Sequence, residues 1–260
     1  MPRALSAPHV PPELVGAWCA AAASWFGPAR VPLPHAPEKR ELALVDSPLG
    51  RLVGKRIARH GLRGALTRLG LARGRAARAF RLAAALNARD LATPEALAVL
   101  PLGACEVLVT RHVEGPHPWE YLATGGSAQA FATALARDLA RLHAAGFRHR
   151  DLKASNLIVH GSSGAPSIVW TDLDGLAARP VVAAATRMRD LARLSMSFES
   201  AAARAAGVRA GLWPALAQAY LAHALARAPE ARELERLLAA TRRWRERAIR
   251  RHLARGDAVR

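Results

Sequence analysis

Cysteine and aromatic side chains are scarce: 260 residues hold two cysteines, and phenylalanine, tryptophan and tyrosine together make up 5%. Cys19 and Cys105 stand far apart with no second thiol beside either. That excludes a disulfide framework and a thiolate zinc cluster, and it suits a reducing cytoplasm. With 51% hydrophobic residues and so few rings, the core has to come from Ala, Leu and Val, chiefly in helices. Acidic residues are few as well, 20 against 38 lysines and arginines, for a formal net charge of +18. A surplus of that size points to a polyanionic partner or surface. It does not choose among nucleic acid, an anionic leaflet and a phosphorylated glycolipid. The familiar nucleic-acid signatures are missing, so no specific nucleic acid is expected. The ten histidines show no His-Glu-x-x-His spacing, and none is assigned a metal. Long apolar runs are missing too. Residues 14–26 come closest and are too short to cross a bilayer. Glu13 and the prolines at 8, 11 and 12 argue against a signal peptide. A leading helix, packed on the domain or lying at an interface, is expected there.

Against these absences stands an ordered string, His149-Arg150-Asp151-Leu152-Lys153-Ala154-Ser155-Asn156, followed by Thr171-Asp172-Leu173-Asp174-Gly175. Phosphoryl transfer needs an acceptor hydroxyl held in line and phosphate charge neutralised by a divalent ion, with little covalent help from protein. Three oxygen side chains at this spacing meet that need. Asp151 accepts the hydroxyl proton, Asn156 reaches a metal from the same loop, and Asp172 bridges metal and phosphates. Hard oxygen ligands suit Mg²⁺. The local pattern agrees: residues 131–144 read as a helix with Gly146 as its stop. Residues 157–159 and 167–170 are short apolar, β-branched runs separated by Gly161-Ser162-Ser163-Gly164, the composition of a hairpin. Asn156 and Asp172 then flank one hairpin and face one cleft.

Upstream, residues 41–45 and 52–57 read as two strands joined by Asp46-Ser47-Pro48-Leu49-Gly50, with Lys55 inside the second. A strand lysine is the expected partner of the α- and β-phosphates in such a site. Residues 51–89 carry 11 Lys or Arg and no Asp or Glu, a basic face. A helix is expected over 75–88 and strands over 96–100 and 106–110, with 111–115 as a connector. Downstream, helices are expected over 187–198, 212–227 and 230–255. The last sets Leu234, Leu237, Leu238, Trp244 and Leu253 near one stripe among many arginines, which fits a membrane-surface helix or a plain bundle helix equally.

With these residues placed, the chain over residues 39–225 resembles the protein-kinase-like superfamily, and within it the bacterial lipopolysaccharide core kinase family, the Kdo and heptose kinases. The residues that carry the likeness run from Leu142 to Lys153, then Asp172-Leu173-Asp174-Gly175, then Arg189-Asp190-Leu191-Ala192-Arg193-Leu194. The resemblance implies an α+β, bilobal protein-kinase-like fold, with a small β-rich N-lobe and a larger, mostly helical C-lobe. The expected division is an N-terminal extension over 1–37, the N-lobe over 38–113 and the helical C-lobe over 114–260. It implies ATP as donor, Mg²⁺ as cofactor and a sugar hydroxyl of a glycolipid as acceptor. The expected location is cytoplasmic, peripheral on the inner face of the bacterial inner membrane, against an anionic surface. Carried over by position, Asp151 is the base, Lys153 touches the γ-phosphate, Asn156 and Asp172 hold metal, Lys55 holds phosphates, and Asp190 braces the catalytic loop.

Two departures stand out. The helix after Lys55 offers Ala79 where the superfamily supplies a glutamate, so Asp90 or another carboxylate substitutes, or the site is weak. No Gly-x-Gly-x-x-Gly loop precedes Lys55. Only 14 residues separate Gly175 from Asp190, too few for a peptide-docking activation segment, which favours a small or glycolipid acceptor over protein. Two other readings share parts of the pattern. An aminoglycoside-type phosphotransferase would want an acidic acceptor pocket, and a pseudokinase-like polyanion-binding module would keep the fold without the lysine's partner.

Overall fold

Short runs of Val, Leu and Ala, continuous and buried on both faces in the central strands, are ordered by antiparallel pairing into one sheet. The computed structural model describes residues 4–33, 41–58, 74–198 and 211–253. The chain divides into two units, Met1–Val113 and Glu114–Arg260. In the first, β1 (Leu5–Ser6), β2 (Leu42–Ser47), β3 (Gly50–Ala58), β4 (Ala96–Leu102) and β5 (Cys105–Arg111) form a sheet in the order β1-β4-β5-β3-β2. Every neighbour is antiparallel. Ser47 pairs with Gly50 across the β2–β3 turn, and Gly50 takes φ +91°, a conformation glycine reaches without a Cβ penalty.

Residues 5–33, expected as an extension, add a strand and a helix to the core of this unit. Val15 and Trp18 of α1 (Pro12–Ala21) are buried in one cluster with Leu52, Ala98, Leu100, Val107 and Val109. The apolar run at 14–26 breaks after α1 into a short 3₁₀ turn, Ser24–Phe26, which brings Trp25 onto the sheet. At Gly54 a Cβ would lie 3.1 Å from Trp25 Cε3, so a glycine in mid-strand makes room for the indole. α2 (Arg75–Asn87) buries Ala76, Ala79, Leu82, Ala83 and Leu86 and packs against β4 and β5. Its small residues permit close approach of helix to sheet. Residues 59–73 of the basic stretch, and Arg255, lie outside the described residues.

The second unit contains α3 (Pro118–Ala123), α4 (Ala128–Ala144), β6 (Phe147–His149), β7 (Leu157–Ser162), β8 (Ala165–Trp170), β9 (Leu176–Ala178), α5 (Ala184–Phe198), α6 (Leu212–Leu225) and α7 (Ala231–Leu253). β6 pairs with β9, and β7 with β8, each antiparallel. Ser127 caps α4 by accepting the Ala130 N–H at 3.2 Å. The helix turns Phe131, Leu135, Leu139 and Leu142 inward, where it packs against α6. Several elements differ from expectation, β6 and β9 among them, which were not expected as strands. The β7–β8 ladder runs on to a turn of only Ser163-Gly164, because main-chain bonding does not require apolar side chains. α5 starts at Ala184, three residues early. α3 was not anticipated, although Pro118 opens it and the Glu120 carboxylate accepts the His117 N–H at 2.9 Å, a helix-start signature. α7 packs on α5 and α6 with Leu237 and Thr241 buried, so its apolar stripe is used inside the unit. Among the described residues no helix is long and apolar enough to cross a membrane.

Candidate active site

The catalytic-type string begins where α4 stops. Gly146 takes φ +82°, and a Cβ there would strike the Arg179 carbonyl. The Arg179 N–H donates to the Gly146 carbonyl at 2.7 Å. This turn lets β6 run back along β9, and the Arg150 N–H then donates to the Gly175 carbonyl at 2.9 Å. Two segments about 25 residues apart in sequence are thereby tied backbone to backbone.

Asp190 holds the same turn from behind. Its carboxylate on α5 is fully buried, accepts the His149 N–H at 3.1 Å, and lies 3.4 Å from His143 Nε2 and 3.6 Å from Arg193 Nη1. His143 Nδ1 and the Tyr220 hydroxyl are 2.8 Å apart. A buried carboxylate needs such partners, and their cost ties α4, α5, α6 and β6 into one cluster.

His149 is the hub on the other side. The Asp151 N–H donates to Nδ1 at 3.3 Å, which leaves Nε2–H to donate to the Thr171 carbonyl at 3.3 Å. Both bonds require a neutral ring in a single tautomer. Burial pushes its pKa below the ordinary 6.5, outweighing the Thr171 carbonyl and the carboxylates of Asp172, Asp151 and Asp190, which act the other way. Gly175 lies flat against this ring, and a Cβ there would come 2.9 Å from Cε1.

Asn156, buried, joins the two acidic positions. Its Nδ2 donates to the Asp151 carbonyl at 2.9 Å and to Asp172 Oδ2 at 3.3 Å. The Thr171 N–H donates to the Asn156 carbonyl at 3.0 Å, and the Gly175 N–H to the Asp172 carbonyl at 2.9 Å. Asp172 itself is left-handed at φ 57°, ψ 50°, a conformation costing a non-glycine residue on the order of 1–3 kcal/mol, and one that clusters at functional positions. Asp151, in contrast, reaches solvent: its side chain is 57% exposed and Oδ2 lies 3.0 Å from Lys153 Nζ. A pair that open contributes no more than about 1 kcal/mol to the fold. Leu152 between them is buried, and the Ala154 N–H donates to Ser197 Oγ at 3.2 Å, which fixes the loop under the exposed pair.

Asn156 therefore bonds the Asp151 main chain and the Asp172 carboxylate at once. The donor set fits a hard divalent cation: with Asn156 Nδ2 committed twice, Asn156 Oδ1 and the Asp172 carboxylate are the oxygens of the chemistry such an ion takes. Mg²⁺ is commonly held by one or two such groups, with phosphate and water completing its shell. No group of three or more His, Cys, Asp or Glu able to hold a metal occurs among the described residues, so an ion here would depend on that amide oxygen. Lys55 stands on β3 of the first unit, and Ala79 of α2 is fully buried.

What the sequence reading missed is the bonding of His149, His143 and Tyr220. It also missed a cleft of ≈ 610 Å³ between α5 and α7, lined by Arg189, Arg193, Arg243, Arg247, Arg251 and Trp244. The Arg193 guanidinium lies 5.5 Å from the Trp244 ring centroid. The arginine excess of the chain was the one available signal.

Comparison with known proteins follows the same lines. The WaaP structure solved in complex with acyl carrier protein matches with a TM-score of 0.61 at 20% identity, over 95% of this chain and 99% of that one. The shared fold is protein-kinase-like. A divergent kinase lacking the glycine-rich loop, which regulates membrane ultrastructure of the Toxoplasma parasitophorous vacuole, aligns at a TM-score of 0.45 and 17% identity, over 89% of this chain and 76% of that one. A search of curated protein sequences returns no match. The model of the lipopolysaccharide kinase (Kdo/WaaP) family matches residues 35–220, most of the chain. This protein therefore belongs to the lipopolysaccharide kinase (Kdo/WaaP) family.

Proposed function

We propose that the protein transfers the γ-phosphate of ATP to a sugar hydroxyl of the lipopolysaccharide inner core or a related glycolipid. Asp151 takes the proton of the attacking hydroxyl, Lys153 meets the γ-phosphate, and Asn156 and Asp172 hold Mg²⁺. When bound, that ion supplies charge neutralisation of the phosphates. Lys55 is the lysine for the α- and β-phosphates. The observation that supports this most is the Asn156 amide, joined at once to the Asp151 main chain and the Asp172 carboxylate beneath an exposed Asp151–Lys153 pair.

The arginine-lined cleft beside α7 favours a phosphorylated acceptor. Guanidinium forks match phosphate oxygens, whereas a cationic aminoglycoside would be repelled. It also supports peripheral contact with an anionic leaflet on the cytoplasmic side, made by the arginine-bearing face of α7 and not by its buried apolar stripe. One observation favours a different reading, a pseudokinase-like polyanion-binding module: α2 carries no glutamate for Lys55.

γ-Labelled ATP and Mg²⁺ incubated with the purified protein and fractionated envelope lipids should label one glycolipid band. Labelling of aminoglycosides but not of core glycolipid would replace the acceptor class. Thermal stabilisation separates the pseudokinase reading, since nucleotide at about 100 times its Kd adds roughly 2.7 kcal/mol. Absence of any shift with millimolar Mg·ATP would favour that reading.

A further inference from the structure

We propose that Glu106 on β5 is the carboxylate that orients Lys55, standing in for the glutamate that α2 lacks. The inference rests on Lys55 being the phosphate lysine of the kinase proposed above.

Strand register places the two residues together. Across β3 and β5, Lys55 lies opposite Leu108 and Ile57 opposite Glu106. Opposed residues of an antiparallel pair share a face, and so do positions two apart on one strand. Lys55, Ile57, Glu106 and Leu108 therefore project from the same side of the sheet. Lys55 and Glu106 are diagonal neighbours, a separation of about 7–8 Å that long side chains span.

Burial and the adjoining helix point the same way. Glu106 is only 6% exposed, an unusual position for a glutamate on a strand and one that implies held charge partners. Gly74, immediately before α2, packs against it so closely that a Cβ would overlap the carboxylate. The start of a helix is also where a negative side chain is favoured. The glycine thus makes room for a carboxylate at the edge of the very helix that would ordinarily supply one.

The other carboxylates among the described residues of this unit fit less well, Glu13 being exposed on α1, which packs on the opposite face with Leu52, Val107 and Val109. Residues 51–89 contain no Asp or Glu anywhere. Asp90 is exposed and follows the far end of α2, whose 13 residues span about 20 Å. Asp46 is 90% exposed and sits 3.5 Å from Arg51. Glu95 is taken by Arg111 at 2.9 Å. Glu41 precedes Leu42, the residue opposite Lys55, and so points to the other face. Glu106 is the one buried carboxylate among the described residues of this unit. Because it sits on a central strand held by ladder hydrogen bonds on both sides, it orients Lys55 without any movement of α2. A helix-borne glutamate would tie that orientation to helix position.

The test is a double-mutant cycle on the full-length protein, reading kcat/KM for ATP at a temperature where circular dichroism shows all four proteins folded. Glu106→Gln should lower kcat/KM by about 10–100-fold, the loss of a charge-assisted hydrogen bond. The same change made in a Lys55→Ala protein should have no further effect, and Asp90→Asn should match the parent. A residue that merely supports α2 would instead lower kcat/KM by the same factor with or without Lys55. That result, or an undiminished Glu106→Gln enzyme, or a defect in Asp90→Asn, would overturn the proposal. If Lys55→Ala itself matches the parent, the kinase reading of Lys55 fails and the Glu106 proposal with it. A defective Lys55→Ala beside an intact Glu106→Gln rejects Glu106 alone.

Discussion

At the scale of single residues, His149 carries a consequence for pH. Its folded pKa lies below the ordinary 6.5, so as pH falls the unfolded chain takes up a proton that the folded ring refuses. The contribution of the neutral ring is therefore complete above about pH 6.5, declines below it, and levels off beneath the folded pKa, with a slope of at most about 1.4 kcal/mol per pH unit. Urea unfolding on either side of that value should show the parent losing more stability on acidification than His149→Gln, and parallel profiles would rule the ring out. The expectation that Asp151, Asn156 and Asp172 lie together rests on phosphoryl transfer fixing residue type and spacing within one loop and one hairpin, and the structure joins Asn156 to the Asp151 main chain and the Asp172 carboxylate. That Asp190 braces the catalytic loop is expected from the family resemblance; its partner, the His149 N–H 41 positions away, is not, because that bond depends on α5 packing against β6. The role proposed for Glu106 toward Lys55 rests on strand pairing, and an isolated glutamate in a strand reads as an ordinary solvent-facing residue.

At the scale of elements, the hairpin β7–β8 and the β6–β9 pair act as a jig that sets Asp151, Asn156 and Asp172 in register. Gly175 is the tightest point of that jig, with His149 Cε1 only 2.9 Å from where its Cβ would be. Gly175→Ala should destabilise by about 1–3 kcal/mol, the usual cost of overpacking, and slow the proposed transfer. Unchanged urea midpoint and rate would show that the ring has room. Most elements announced themselves through local pattern: α4 and α5 by their apolar faces, and β3 and β5 by short apolar, β-branched runs beside turn residues. α3 escaped because six residues are too few for a period to register. The partner of the α7 stripe escaped because amphipathicity tells that a face will be covered and not by what. Residues 14–26 were long enough to suggest one helix, but Trp25 needed the notch at Gly54, and a 3₁₀ turn delivers it there.

At the scale of the molecule, a formal charge of +18 is concentrated in part along the cleft between α5 and α7. Each basic residue near an anionic surface contributes about 1 kcal/mol. The pair Arg243→Gln/Arg247→Gln should therefore weaken binding to phosphatidylglycerol vesicles by roughly tenfold or more. Its affinity for Mg·ATP should stay that of the parent, and unaltered vesicle binding would contradict a membrane contact by this face of α7. The division into a sheet-rich part and a helix-rich part could be read in the order of the segments, and a leading helix packed on the domain was one of two expectations for residues 14–26. That α1 joins the core of the first unit settles between packing and an interface, while the strand at Leu5–Ser6 was not expected, since proline-rich flanks look like a tail. The family sets the reaction class, and the base proposed for it, Asp151, is the residue whose loss tests the account most directly. The decisive measurement is single-turnover transfer from γ-labelled ATP to a core glycolipid by the parent and by Asp151→Asn. Loss of the proton acceptor should slow transfer by about 10²–10⁴-fold while the thermal shift with Mg·ATP persists. Equal rates in the two proteins would contradict the assignment of the base and the site built around it.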